Sequence, residues 1–208
     1  MGIRDRIIAA AARVYTEAGF RGTTTRRVAE EAGVNEVTLF RQFGTKEALI
    51  KSALHASSLL NQPPLGEPAD PQAQLTAWAL NTYRHWYQAR HLVSRVLGDL
   101  IEHPELAPDI CEETSCAHRE LSDFFTRMRA HGLADDEFNA DGVAGLLLGA
   151  LFTHAVWRDY FTNPDLPSPE VVIAEYVRLA LRSVGARARG AAQQNGSKAA
   201  SGRRRKHA

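Results

Sequence analysis

Aliphatic residues recur at three- and four-residue intervals along almost the whole chain, and runs of strict apolar and polar alternation are absent. This pattern predicts an all-α protein of about nine helices. The first stripe, Ile7, Ala11, Val14, Tyr15 and Ala18, is closed by Gly19 just past its last turn. Thr24 is placed to cap a short second helix with Val28, Ala29 and Ala32 inward and Gly33 as a left-handed stop. Asn35 caps a third helix, and Val34 before it can pack on Leu39 as a hydrophobic staple. Gly44 breaks that helix, and Thr45 caps a fourth with Glu47 in the first turn, where the helix dipole favours a carboxylate.

Between Asn61 and Pro71 the stretch NQPPLGEPADP holds four of the nine prolines and marks a boundary near residue 60. Asp70-Pro71 then opens a helix with Leu75, Trp78, Ala79, Thr82 and Trp86 on its inner face. Helical spacing continues from His91 to Ile101 with no visible break, and another helix is expected from near Ala107 to Gly132. Asn139 opens the next helix, which is apolar on nearly every side from Val143 to Trp157. In a soluble protein that means burial against its own core and against something else. Gly145 and Gly149, one turn apart, would let another backbone approach closely. Ser168-Pro169-Glu170 starts a last helix that ends at Gly185, with Ile173, Tyr176, Val177, Ala180 and Val184 on one face. The domains read as a head over residues 1–50, a helical body over 51–186 and a disordered basic tail over 187–208.

The formal net charge of +1 hides an uneven distribution. The head carries eight Lys and Arg against six Asp and Glu, the body ten against eighteen, and the tail seven against none. Head and tail are therefore the parts a polyanion would attract. The amino terminus lacks an apolar run before a small-residue cleavage site, so a cytoplasmic location is expected. The longest apolar stretch, from Val143 to Trp157, is too short to span a bilayer, and no membrane association is expected. Cys111 and Cys116 lie about 140° apart around a helix, which disfavours a disulfide framework or a cysteine-based zinc site. Cys111 and His118, with Glu112, Glu113 and Glu120 nearby, lack a third ligand at clear spacing. There is no Gly-rich phosphate loop, G-x-S-x-G or HExxH motif, so neither an enzyme, nor a cofactor, nor a metal is expected.

The third helix carries the chemistry. With Leu39 and Phe43 turned inward, Glu36, Val37, Thr38, Arg41 and Gln42 point outward or to the flanks. The preceding helix is joined by a turn of about three residues containing Gly33, and Ala29 is small enough for the two helices to cross closely. This is the spacing of a helix-turn-helix, whose second helix enters the major groove of DNA with its N-terminal residues at the base edges.

The string Gly19-Phe20, Thr23-Thr24, Val28-Ala29, Ala32-Gly33-Val34, Thr38-Leu39-Phe40, Phe43 and Thr45-Lys46-Glu47-Ala48-Leu49 resembles the DNA-binding region of the tetracycline-repressor (TetR) family of bacterial regulators. The resemblance covers about residues 5–52 and beyond them extends only to helical organisation and length. It implies that Thr25 and Arg26 hold phosphates, that Glu36, Val37 and Thr38 lie at or near base edges, and that Phe40, Gln42 and Lys46 reach the DNA backbone. Arg41 reads as a surface or phosphate residue rather than a base reader. Phe40 stands where the family usually has tyrosine, Gln42 where histidine is common and Val37 where glycine often occurs, all of which bear on the operator sequence. Glu36 has three open readings: acceptor from a cytosine amino group, repeller of phosphate, or solvated first-turn carboxylate. The RRRK run of the tail is either a solvated end or an added non-specific phosphate contact.

One such head reads only a few base pairs, so a homodimer on a palindromic double-stranded operator is expected. Leu147, Leu151, Ile173, Tyr176, Val177 and Ala180 are the candidate interface, as part of a four-helix bundle, with plain intramolecular core as the alternative. Trp78, Trp86, His118 and Phe125 are candidate pocket residues for a small-molecule effector, though each also fits an ordinary core. The resemblance implies a repressor released from DNA by that effector. A reading from another class is a helical small-molecule-binding protein whose head no longer reads DNA.

Overall fold

The computed structural model describes residues 2–56, 64–104, 107, 112–161 and 165–186. Among them are nine α-helices and no strand: α1 (Ile3–Gly22), α2 (Thr25–Ala32), α3 (Glu36–Phe43), α4 (Lys46–Ala56), α5 (Pro71–Gln88), α6 (Arg90–Glu102), α7 (Glu112–Ala130), α8 (Ala140–Trp157) and α9 (Pro169–Ser183), with a 3₁₀ turn at Arg158–Tyr160. The expected start of a helix near Ala107, Cys111 and the basic tail from residue 187 lie outside the described residues. The described residues form two compact units. One contains residues 2–56, 81–104, 112–117 and 152–161; the other contains 64–80, 118–151 and 165–186.

Caps set most of the helix starts. The Thr24 side chain accepts from the Arg27 N–H, Asn35 from Val37, Thr45 from Ala48, Asp70 from Ala73 and Asn139 from Gly142. Each stabilises its helix by about 1 kcal/mol. Ser168 precedes the Pro at the start of α9, but its side chain makes no cap bond. Gly33, at φ 63°, closes α2 in the left-handed conformation.

In the first unit Ile7, Ala10, Ala11 and Val14 of α1 pack with Val28, Ala29 and Ala32 of α2, Leu39 and Phe43 of α3, and Leu49 and Ala53 of α4. The alanines let short helices cross with little side chain between them. A second cluster joins Tyr15 and Ile50 to Leu92 and Val96 of α6. Burial, and after it the Asp99 carboxylate, pushes the Tyr15 phenol above its usual range, so it packs as a neutral hydroxyl.

Two helix ends depart from the sequence reading. Helix α1 does not stop at Gly19; it kinks there, at φ 66° and ψ −170°, and runs one more turn to Gly22. The Gly19 carbonyl accepts from both the backbone N–H (3.0 Å) and the hydroxyl (2.7 Å) of buried Thr23. The break between α5 and α6 falls at Ala89, a position with neither Gly nor Pro to announce it. Arg90 holds the bend: its guanidinium lies 4.2 Å from the Tyr87 ring centroid, donates to the Tyr87 carbonyl at 2.8 Å and pairs with Asp159 at 2.7 Å.

In the second unit the fully buried side chains include Leu75 of α5, Leu121, Phe124, Phe125 and Met128 of α7, and Leu151 and Ile173 of α8 and α9. The loop after Pro64 lies along α7: Glu120 accepts from the Leu65 N–H, Arg127 donates to the Leu65 carbonyl at 2.6 Å, and His131 meets Glu67 at 2.9 Å. Helix α8 with its 3₁₀ extension, 21 residues, is long and apolar enough to cross a membrane by length and composition, contrary to the sequence estimate. With 44% of that window buried inside the protein, core packing accounts for the same composition.

Two outcomes follow from these contacts. Gly19→Ala places a Cβ 2.1 Å from the Arg95 guanidinium and forces an L-residue into a backbone region reserved for glycine. It is expected to lower unfolding stability in urea by about 1–3 kcal/mol, and the part due to backbone strain persists in an Arg95→Ala background, where the close contact is gone. Buried His154 accepts at Nε2 from Arg158 at 2.8 Å, and burial, then the Arg158 charge, hold the imidazole below its ordinary range. The unfolded chain therefore takes up this proton first, and stability that is complete above about pH 6.5 declines as pH falls below it. A urea midpoint independent of pH between about 7 and 5 would contradict this.

Candidate nucleic-acid interface

The helix-turn-helix is built from short pieces whose inner faces are closed. Val28, Ala29 and Ala32 of α2 and Leu39 and Phe43 of α3 are buried, and Val34 in the turn packs against the same core. With that face spent, the rest of α3 looks outward. Val37 is 64% exposed and Phe40 47%, Arg41 and Gln42 are exposed, and Thr38 and Glu36 are half-buried. Large apolar side chains held in water on a capped helix cost free energy unless a partner covers them. Asn35 takes the Val37 N–H, and the remaining amides of the first turn carry the positive end of the helix dipole.

Salt bridges lock α2 against α1. Arg27 meets Glu17 at 2.7 Å and Arg13 meets Glu31 at 2.9 Å, while Arg26 pairs along its own helix with Glu30 at 3.0 Å. Arg41 has no such carboxylate partner among the described residues. Thr25 is half-buried, and its hydroxyl donates to the Glu36 carboxylate at 2.5 Å, joining the first residue of α2 to the first of α3. That pair was not foreseen. The two positions are eleven apart on different helices, and only the crossing geometry brings them together.

Lys46 is placed differently from the expectation that it reaches a DNA backbone. Its ammonium turns inward, donates to the Phe20 carbonyl at 2.9 Å and sits 3.9 Å from the Phe20 ring centroid. The Phe20 N–H donates to Asp99 of α6 at 2.9 Å, and its ring lies 5.1 Å from that of His103. A cation at a helix end, bound to a free carbonyl and over an aromatic face, is favoured on both counts. Lys46 thus ties the start of α4 to the end of α1.

The residues proposed for an interface between chains are placed inward. Leu147, Leu151, Ile173, Val177 and Ala180 are buried within their own chain and Tyr176 is half-buried. An evenly apolar helix gives no periodicity from which to choose a face, and the sequence reading chose the core side. The same two helices present Leu146 (75% exposed), Val171 (61%) and Leu179 (51%) to solvent, together with exposed Gly142, Gly145 and Gly149. The glycine spacing noted in the sequence was the signal for this outer face.

The candidate pocket residues do not share one unit. Trp78, His118 and Phe125 belong to the second, and Trp86 belongs to the first, where it meets Phe152 edge-on at 5.4 Å. Trp78, Trp86 and Phe125 are buried. His118 donates from Nε2 to the Asp141 carbonyl at 3.1 Å, and Ser122 donates to the Asp141 carboxylate at 2.6 Å, so this part of α7 secures the first turn of α8. The Trp78 indole N–H is buried and has no acceptor among the described residues. Among the described residues no group of three or more His, Cys, Asp or Glu is placed to hold a metal ion.

Comparison with known proteins bears on this geometry. Residues 7–53 match the family model described as bacterial regulatory proteins, tetR family. A stretch of 53 residues is 42% identical to YvkB, an uncharacterized HTH-type transcriptional regulator of Bacillus subtilis strain 168. That match spans 26% of this chain and 28% of the relative. Among solved structures, a flavonoid-responsive regulator, FrrA, superposes with a TM-score of 0.68 at 23% identity, over 86% of this chain and 95% of that one. The TetR family transcriptional regulator PfmR of Thermus thermophilus gives 0.58 at 24% identity, over 86% and 99%. These likenesses establish the fold over most of the chain and sequence kinship over the head.

Proposed function

We propose, from the match of residues 7–53 to the tetR family of bacterial regulatory proteins and the 42% identity of a 53-residue stretch to an HTH-type regulator, that the chain is a DNA-binding transcriptional regulator of that family. In this reading it acts as a homodimer on a palindromic operator, and a small-molecule effector releases it from repression. The observation that carries DNA binding is the outer face of α3. Val37, Phe40, Arg41 and Gln42 stand exposed on a helix whose inner residues, caps and crossing alanines are all committed to holding it out. A nucleic-acid groove covers such a face: phosphates suit Arg41 and the positive end of the α3 dipole, and a thymine methyl suits Val37. Retardation of the DNA upstream of its own gene, but not of a scrambled fragment, tests this. Equal retardation of both, or of neither, favours the small-molecule-binding protein with a silent head.

Two supports bear on the finer points. The outer faces of α8 and α9, with Leu146, Val171, Leu179 and the exposed glycines, suit a second copy more than water. The unpaired indole of Trp78 lies in the aromatic core of the second unit, where the acceptor of an effector would satisfy it. The fold neighbour FrrA is itself called flavonoid-responsive, which fits an effector role without naming one for this chain. An effector that favours the unbound state by about 1–3 kcal/mol would change operator affinity about 5- to 150-fold.

On this reading Leu146→Glu and Leu179→Glu convert a dimer to a monomer in sedimentation at micromolar concentration, with helicity unchanged. A dimer that survives both changes places the interface elsewhere. Arg41→Ala lowers operator affinity about uniformly across sequences and reduces the salt slope by roughly one. Lys46→Ala destabilises the head and weakens binding while leaving the salt slope unaltered, because its ammonium is engaged with Phe20. A salt slope reduced by Lys46→Ala and not by Arg41→Ala would reverse the two roles.

A further inference from the structure

We propose that Glu36 is a base-reading carboxylate that selects a cytosine in each half-site, and that the Thr25 hydroxyl aims it; the inference rests on the DNA-binding reading above. Glu36 is the first residue of α3, at the end of a recognition helix that meets base edges, and Thr25 is the first residue of α2. The hydroxyl donates its single proton to Oε1 of Glu36 at 2.5 Å, so it has none left to give a phosphate. The arginines of α2 pair with other carboxylates, Arg26 with Glu30 and Arg27 with Glu17. Glu36 itself has no ion-pair partner among the described residues. The group is half-buried, and the bond from Thr25 restricts its rotamers while leaving the carboxylate acceptor capacity for a further partner.

Base chemistry narrows that partner. A carboxylate only accepts, so in the major groove it repels guanine, which presents N7 and O6, and thymine, which presents O4. Adenine offers an amino group but sets the N7 acceptor beside it, against the negative charge. Cytosine offers the N4 amino group with no acceptor on that edge, and it is the base the geometry points to. Thr25 fixes the direction of approach and never touches the base, so its role is positional. The neighbouring Val37 faces out and supplies an apolar surface on the same turn.

The test is selection of bound duplexes from a random library by the full chain, as wild type, Glu36→Gln, Glu36→Ala and Thr25→Val, each first checked by circular dichroism for full helicity at the assay temperature. The wild type should enrich half-sites with one fixed cytosine, and replacing it should weaken binding roughly tenfold. Glu36→Gln should move the preference at that position to adenine, whose N6 and N7 suit an amide. Glu36→Ala should flatten it, and Thr25→Val should loosen it without moving it. Identical consensus sequences from wild type and Glu36→Gln would overturn the base-reading role. An undiminished cytosine preference in Thr25→Val would overturn the positioning role. Enrichment of no sequence by the wild type would instead defeat the DNA-binding reading itself.

Discussion

The peptide of Phe20 is gripped from both sides, and the head depends on that grip. Its N–H is held by Asp99 of α6 and its carbonyl by Lys46 of α4, with the ammonium over the Phe20 ring. Hydrogen bonds to charged groups contribute about 1.5–3 kcal/mol each, well above neutral ones. Gly19 makes the grip possible by turning the chain through a conformation that only glycine adopts cheaply, against the Arg95 guanidinium. Three helices distant in sequence are thereby fixed to a single residue.

From that fixed point the rest of the head follows by packing. Helix α1 supplies Ile7, Ala10, Ala11 and Val14 as a floor, α2 lies on it at alanine distance, and α3 is left to cross α2 with only Leu39 and Phe43 facing in. Eight residues cannot form a stable helix alone in water. The Asn35 cap, the staple at Val34 and the Thr25–Glu36 bond supply what α3 lacks, and each acts at its first turn. The turn that would meet DNA is therefore also the most firmly held part of the helix. A site fixed before its ligand arrives loses less ordering entropy on binding.

How much of this was legible depends on whether the cause was local. Thr24, Asn35, Thr45, Asp70 and Asn139 act within three residues of themselves, and the sequence displays their chemistry directly. The all-α class and the buried residues of α2 and α3 follow from spacing for the same reason. The Asp99 bond to Phe20 joins positions 79 apart, and nothing in either neighbourhood announces it. A lysine beside a helix start suits a phosphate, and the contact of Lys46 with Phe20 depends on the return of α4 to the end of α1, which no local pattern announces. The bend at Ala89 is maintained by side chains around it, and the backbone there carries no breaker. Helix α8 gives no apolar periodicity from which to choose an outward face, although Gly145 and Gly149, whose spacing the sequence displays, lie exposed on it.

In the proposed complex two copies of the α3 outer face meet one face of a duplex. Hydroxyl-radical footprinting of the protein on the DNA upstream of its own gene measures this most directly. Two equal protected patches are expected on one side of the helix, their centres separated by one or more whole turns, about 34–36 Å each. A single patch, or continuous protection without a helical period, would contradict it.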